Sequence, residues 1–186
     1  LHQRWKKGNR TRFFIKLSAP SLKDDTLIDW LDFQIKEKKL PADCLIFEVK
    51  ETAAVTNLKY TKAMCENLKR INCGFVLDDF GTGTNPFQLL EHIDVDYIRL
   101  DREFMENLAD NPQNQEAIKK IAAQAAEMGK LTIAQFVPDA SSLSILWGMG
   151  LNFIQGYFLQ EPSPVMNYDF SVMGGKKLFI YSPSST

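Results

Sequence analysis

The segment DDFGTG, residues 78–83, carries the strongest chemical signal in this sequence. It places two adjacent carboxylates, Asp78 and Asp79, at the end of a short apolar run. Adjacent carboxylates repel each other unless a cation or ligand hydrogen bonds offset the repulsion. Carboxylate oxygens are the ligands that Mg²⁺ and Mn²⁺ prefer, and two-metal hydrolases share a carboxylate between their ions. The segment therefore indicates a metal or ligand site, and a solvated turn that caps the next helix is the alternative.

Two more polar residues stand at the ends of apolar runs. Glu48 in FEVKE lies within an apolar stretch, where a charged side chain is costly to bury unless it is paired or binds a metal. It therefore joins Asp78 and Asp79 as a candidate metal ligand. A surface carboxylate at a strand end is the alternative for Glu48. Gln155 precedes Gly156 and an aromatic pair, and its position suits a ligand contact and a loop cap equally well.

Short apolar runs alternate with longer amphipathic ones, which predicts an α/β fold of parallel strands joined by crossover helices. Neither GxGxxG nor GxxxxGK[ST] occurs, so a closed barrel is favoured over nucleotide-binding folds of those types. In a barrel, chemistry belongs at the carboxyl ends of the strands. Trp30 and Trp147 are expected on buried helix faces. Strands are expected at 12–18, 44–49, 74–80, 96–101, 131–137 and 152–158, and helices at 24–38, 51–71, 115–128 and 139–150.

The composition is that of an ordinary globular protein, with 186 residues, 45% hydrophobic residues and a net charge of −1. The near-zero charge gives no global field toward nucleic acid or anionic lipid. No apolar run approaches the roughly 20 residues of a membrane-spanning helix, so membrane insertion is not expected. The three cysteines lack CxxC spacing, which argues against a disulfide framework or a zinc site and favours a cytoplasmic location.

Five segments together resemble the EAL-domain family in order and spacing. They are FEVKE, VLDDFGTG, VDYIRLDREFM, LTIAQFV and FIQGYFLQEP, and the resemblance covers residues 11–164. It implies a modified TIM (βα)8 barrel that binds cyclic di-GMP and, in active members, hydrolyses it with two Mg²⁺ or Mn²⁺ ions. It also implies that residues 1–170 are an EAL-like domain lacking its first two strands. Residues 171–186 would then be a tail or an appended strand.

The resemblance also shows departures from the catalytic pattern. Glu48, Asp78, Asp79 and Gln155 match the family's metal and catalytic positions, and Glu51 stands at its second acidic position. Active members instead carry other residues at three positions, where this chain has Lys16 for asparagine, Arg99 for lysine and Gln135 for glutamate. A lysine ammonium donates hydrogen bonds and cannot bind a cation. The departures therefore predict no catalytic residue and no required metal, with Mg²⁺ or Mn²⁺ needed only if the domain is active.

The ligand itself does not require a metal if side chains supply the positive charge. Phe136 stands where active members have glycine, and an aromatic ring there can stack on a guanine. A core phenylalanine on an alternating strand is the alternative. The turn at residues 160–164 is expected to close over the other side of the ligand. The predicted ligand-binding residues are Phe136, Asp78, Asp79, Gln155, Lys16, Ser18, Glu161 and Pro162.

Within the family, the sequence is most similar to inactive receptors of type IV pilus assembly and twitching motility. That similarity implies a cytoplasmic cyclic di-GMP receptor, with the cell pole as one location, that signals through a PilZ-domain protein. A homodimer stays open, and no nucleic-acid polymer is expected as a partner. The alternatives are an active cyclic di-GMP phosphodiesterase and an interaction scaffold that has lost the nucleotide.

Overall fold

The computed structural model describes residues 11–159 and residue 161. These residues divide into two compact units. The first unit holds residues 11–78 and 83–96, and the second holds residues 79–82, 97–159 and 161. Pro162, the rest of the predicted turn beyond Glu161 and the predicted tail at 171–186 lie outside the described residues.

Three parallel strands form the sheet of the first unit. β1 (Phe13–Lys16) pairs with β2 (Leu45–Lys50), and β2 pairs with β3 (Gly74–Phe80), whose last two residues belong to the second unit. Almost every residue of β2 and β3 is buried. Continuous apolar runs of this kind are typical of parallel strands covered on both faces. The helices of this unit are α1 (Leu27–Glu37), α2 (Glu51–Thr56), α3 (Leu58–Arg70) and α4 (Pro86–Leu90), with short 3-10 helices at Ser21–Lys23 and Ala42–Cys44.

The second unit repeats the parallel arrangement with shorter strands. β4 (Tyr97–Leu100) pairs with β5 (Leu131–Ala134), and β5 pairs with β6 (Phe153–Ile154). Its two long helices have side-chain caps that accept backbone N–H groups, which a helix start otherwise leaves without partners. Asn111 caps α5 (Pro112–Glu127), and Asp139 caps α6 (Ala140–Gly148). Two 3-10 helices, Arg102–Met105 and Leu108–Asp110, connect β4 to α5.

All six predicted strands form, and the helices differ from the prediction in two ways. The helix expected over 51–71 is two helices, because the backbone leaves the helical region at Asn57, where φ is −120°. The sequence analysis also missed α4, which is only five residues long. The last strand is confined to Phe153–Ile154, which is shorter than the predicted run.

The prediction that Trp30 lies on a buried helix face is wrong. Trp30 is 57% exposed and Phe33 is 58% exposed, whereas Ile28 and Leu31 of the same helix are buried. With about 3.6 residues per turn, Trp30 lies roughly half a turn around α1 from Ile28. The apolar face of α1 therefore excludes both aromatic residues. Among the residues that the structure describes, no helix combines the length and the apolar character needed to cross a membrane.

Candidate ligand site at the strand ends

In the first unit, the carboxyl end of the sheet brings a lysine beside a buried glutamate. Lys16 is the register partner of Glu48, and the N–H of Leu17 donates to the Glu48 carbonyl at 2.9 Å. Paired residues on adjacent strands point to the same face of a sheet. Glu48 is only 1% exposed, whereas Lys16 is exposed. The structure thus places a predicted metal ligand and a predicted departure on one face of neighbouring strands.

Asp78 lies in β3, two residues beyond Val76, which is the register partner of Glu48. It pairs in register with Lys50 and is 4% exposed, whereas Lys50 is exposed. Removing a carboxylate from water to this degree costs free energy that its surroundings must offset. The first of the paired aspartates is therefore a buried group of the sheet, and the interpretation of Asp78 as part of a solvated turn is wrong.

The glycines of DDFGTG are explained by neighbouring side chains. A Cβ at Gly83 would lie 2.5 Å from Oε1 of Glu51, which starts α2 and is 6% exposed. In the second unit, Gly81 has φ of +108°, and a Cβ there would meet Phe104 and Ile121 at 3.0 Å. In the first unit the glycine thus gives room to an acidic side chain, and in the second it gives room to the core.

In the second unit, Gln135 holds the other aspartate of the pair. Its side-chain nitrogen donates to Oδ1 of Asp79 at 3.1 Å and to the carbonyl of Leu100 at 3.0 Å. Both partners are acceptors, so the amide must present its N–H groups to them. Gln135 is 6% exposed, which makes the two bonds a buried connection. A glutamate at this position would place a carboxylate against a carboxylate and a carbonyl oxygen.

Phe136 lies next to Gln135 with its ring in solvent. The residue is 50% exposed, so it is not a core phenylalanine. Its φ is +59°, in the left-handed region that bulky residues rarely adopt. The guanidinium carbon of Arg102 lies 5.2 Å from the centroid of the Phe136 ring. The backbone therefore turns the ring outward, and a cation accompanies it.

The main chain around Gln155 fixes the other side of this bend. The N–H of Gln155 donates to the Ala134 carbonyl at 2.7 Å, and its carbonyl accepts from the N–H of Val137 at 3.1 Å. A Cβ at Gly156 would overlap the backbone of Val137, so only glycine fits there. The half-buried Gln155 thus acts through its backbone as a link between β6 and the segment that carries Phe136.

A groove of about 400 Å³ opens beside the Phe136 ring. Arg102 and residues 105–110 line it together with Phe136, Pro138, Asp139 and Ser142. Sequence reasoning missed Arg102 and this loop, although the segment VDYIRLDREFM contains Arg102 and the first residue of the loop, Met105. The sequence did not show that the Phe136 ring is exposed. Without that information, spacing along the chain does not identify which residues lie around the ring.

The remaining predicted residues fall into three environments. Arg99 is 2% exposed within β4, as the register partner of Ile133. Ser18 is exposed, and its hydroxyl lies 2.8 Å from that of Ser21, so it closes a turn after β1. Glu161 is exposed and is not among the described residues that line the groove. The second unit therefore brings together Asp79, Gln135 and, one residue on, Phe136.

Within the second unit, the amide beside Asp79 does not suit a metal-binding role. Across residues 11–159 and 161, no group of three or more His, Cys, Asp or Glu side chains is arranged to hold a metal ion. Gln135 directs N–H groups at Asp79, and a donor of this kind competes with a cation for the same oxygen.

Comparison with known proteins gives the family. The sequence matches the EAL domain over residues 1–162. The chain belongs to the EAL domain family. It is 38% identical to the FimX EAL domain, with a TM-score of 0.87 over 91% of this chain and 68% of that chain. The FimX EAL domain from Pseudomonas aeruginosa bound to c-di-GMP is 34% identical, with a TM-score of 0.83 over 91% and 77% of the two chains.

A curated relative is the cyclic di-GMP phosphodiesterase PdeB of Shewanella oneidensis. It is 32% identical over 83% of this chain and 18% of its own length. The chain thus spans about a fifth of the length of the curated relatives it matches. These similarities confirm the predicted fold class, the α/β barrel of the EAL type, and the predicted family.

Proposed function

We propose that this EAL domain is a receptor that binds cyclic di-GMP and does not hydrolyse it. One observation carries the proposal, the buried amide of Gln135 that donates to the Asp79 carboxylate. The negative charge of Asp79 is met by an N–H group, so this carboxylate has less need of a cation. The binding part of the proposal is supported by the similarity to a FimX EAL domain solved with c-di-GMP.

The exposed groups suit a nucleotide that is held without metal. A cyclic dinucleotide presents two phosphates and two guanines. The exposed ammonium of Lys16 is proposed to face a phosphate, and the Phe136 ring is proposed to stack on a guanine. Stacking of a base on an aromatic side chain contributes roughly 1–3 kcal/mol in nucleic-acid binders. A phosphate contact from Lys16 would replace part of the attraction that metal ions supply elsewhere.

Isothermal titration of the full-length protein with cyclic di-GMP in EDTA tests the proposal. We expect at least micromolar affinity, and an absence of heat at high ligand concentration would overturn it. Phe136→Ala should weaken binding by a factor on the order of 10, as the loss of one stacked base predicts. Phe33→Ala is the matched control, because Phe33 is similarly exposed but lies on α1. If the Phe136 variant and the wild type bind cyclic di-GMP with equal affinity, the ring does not contact the ligand.

An active phosphodiesterase is the second candidate. It is favoured by the retention of Glu48, Asp78 and Asp79, and the curated relatives include enzymes named cyclic di-GMP phosphodiesterases. Incubation of the protein with cyclic di-GMP and Mg²⁺ or Mn²⁺, followed by chromatography, measures the linear product pGpG. We expect no product, and turnover above a protein-free blank would make the domain an enzyme.

The proposed output is contact with a PilZ-domain protein in type IV pilus function. The support is the similarity to FimX EAL domains, together with the EAL family's link to cyclic di-GMP. Pull-down of a PilZ-domain protein with and without cyclic di-GMP is the test. Capture that depends on the nucleotide supports a receptor. Capture that is equal in both conditions, with no heat in the titration, would identify an interaction scaffold.

A further inference from the structure

The groove beside Phe136 has one cation at its aromatic end. Arg102 is exposed, and its guanidinium carbon lies 5.2 Å from the centroid of the ring. Flat stacking would bring carbon atoms to about 3.5–4.0 Å. The guanidinium is therefore not packed flat against the ring at contact distance, and Phe136 is 50% exposed, so a ring face remains accessible to a base. A base that stacks on that face would have the guanidinium near its edge.

The backbone that carries Arg102 is held in place from several directions. Asp101 accepts the N–H of Glu103 at 2.9 Å, which caps the 3-10 helix that Arg102 begins. The Asn114 amide donates to the Glu103 carbonyl at 3.0 Å. The Gln115 amide donates to the Leu108 carbonyl at 2.8 Å. Helix α5 thus fixes the wall of the groove, and a fixed wall loses less entropy when a ligand binds.

The charges of the groove match one purine better than the other. Besides Arg102, the lining includes the carboxylates of Glu106, Asp110 and Asp139. Guanine offers two acceptors, O6 and N7, on one edge, and a donor amino group on the opposite edge. Adenine offers a donor, the N6 amino group, where guanine has O6. A guanidinium at one end and carboxylates elsewhere in the lining therefore complement guanine.

We infer that Arg102 is a specificity residue, which reads O6 and N7 of a guanine stacked on Phe136 with its two-pronged guanidinium. The inference rests on the proposed function, because it needs a guanine nucleotide in the groove. Arginine is the side chain that most often pairs with these two atoms, since its planar fork donates two parallel hydrogen bonds. Lysine provides the same charge at a single point and lacks the fork.

The test compares cyclic di-GMP with cyclic di-AMP by titration in EDTA, using the full-length protein. Arg102→Lys and Arg102→Ala should each weaken cyclic di-GMP binding by a factor on the order of 10 or more. Both variants should also have a smaller ratio of the dissociation constant for cyclic di-AMP to that for cyclic di-GMP. Arg70→Ala is the control, because Arg70 is an exposed arginine at the end of α3. Circular dichroism of each variant establishes that it is folded.

The outcomes separate this inference from the proposal beneath it. If Arg102→Lys keeps the wild-type affinity, the positive charge alone is sufficient and the paired hydrogen bonds are not needed. That result would overturn the inference. The same holds if affinity falls for both nucleotides by equal factors. If the wild type binds neither nucleotide, the proposed function fails first and the inference fails with it. If the wild type prefers cyclic di-GMP and Arg102→Ala keeps that preference, only the inference fails.

Discussion

The two units hold the acidic and amide groups of their strand ends in different ways. In the first unit, Glu48 and Asp78 are almost completely buried within central strands. In the second unit, Asp79 is half-buried and accepts a hydrogen bond from the Gln135 amide. The first unit therefore buries two acidic side chains, whereas the second has a neutral donor beside its acid. The proposed loss of hydrolysis and the proposed binding of the ligand would then depend on different residues.

The two units also differ in what lies against their tightly packed glycines, and this difference predicts the largest effect. Gly156→Ala in the second unit would drive a Cβ into the backbone of Val137, which cannot move aside easily. We expect a loss of about 3 kcal/mol in the free energy of unfolding. Gly83→Ala in the first unit would meet only the end of the flexible Glu51 side chain, so its loss should be smaller. Urea denaturation of both variants measures the difference, and equal losses would contradict it.

The hydrogen bond from Gln135 to the Asp79 carboxylate, which distinguishes the second unit, predicts the next largest effect. Gln135→Glu replaces two hydrogen bonds with repulsion from Asp79 and from the Leu100 carbonyl, so we expect a loss of about 1–3 kcal/mol in metal-free buffer. Thermal denaturation with EDTA and with Mn²⁺ measures it. Stabilisation of the variant by Mn²⁺, absent in the wild type, would show that the other carboxylates can still bind a cation. A variant as stable as the wild type in EDTA would refute the role given to the amide.

Backbone strain at Phe136 predicts a smaller effect with an unusual order. Phe136→Ala and Phe136→Gly both remove the ring, but only glycine adopts a φ of +59° without strain. We expect the glycine variant to be more stable than the alanine variant by about 1 kcal/mol, although glycine is normally the less stable choice. Chemical denaturation of the two proteins compares them directly. Greater stability of the alanine variant would mean that the left-handed turn does not persist without the ring.

The smallest effect concerns the cap of α6. Hydrogen bonds from the Ser141 hydroxyl and the Ser142 N–H lower the pKa of Asp139 below its usual value of 3.8. The cap therefore contributes stability above the unfolded pKa, and this contribution is lost as the pH falls through the lower folded value. Asp139→Asn should flatten the acid limb of a stability–pH curve measured by denaturation below about pH 4. An unchanged acid limb would show that the carboxylate charge is not what the helix start requires.

Sequence patterns sufficed for the strands, since all six predicted runs became parallel strands. They also sufficed for the family, because its motifs are contiguous runs such as DDFGTG. They failed at Trp30, because counting apolar residues does not say which side of α1 faces the core. They also missed the bond from Gln135 to Asp79, which joins residues 56 positions apart in the chain. Long-range pairing and the outward turn at Phe136 depend on tertiary packing and backbone geometry that no local pattern encodes.

The exposure of Trp30 has a spectroscopic consequence. Trp30 lies in the first unit and is open to water, whereas Trp147 lies in the second unit and is half-buried. Indole emission shifts to the red and is quenched by iodide when the ring is in water. Two variants would use this difference, one that keeps only Trp30 and one that keeps only Trp147, with the other tryptophans changed to phenylalanine. Each variant would then report on one unit. Melting of the strands that keep the carboxylates could then be followed separately from melting of the groove that is proposed to hold the base.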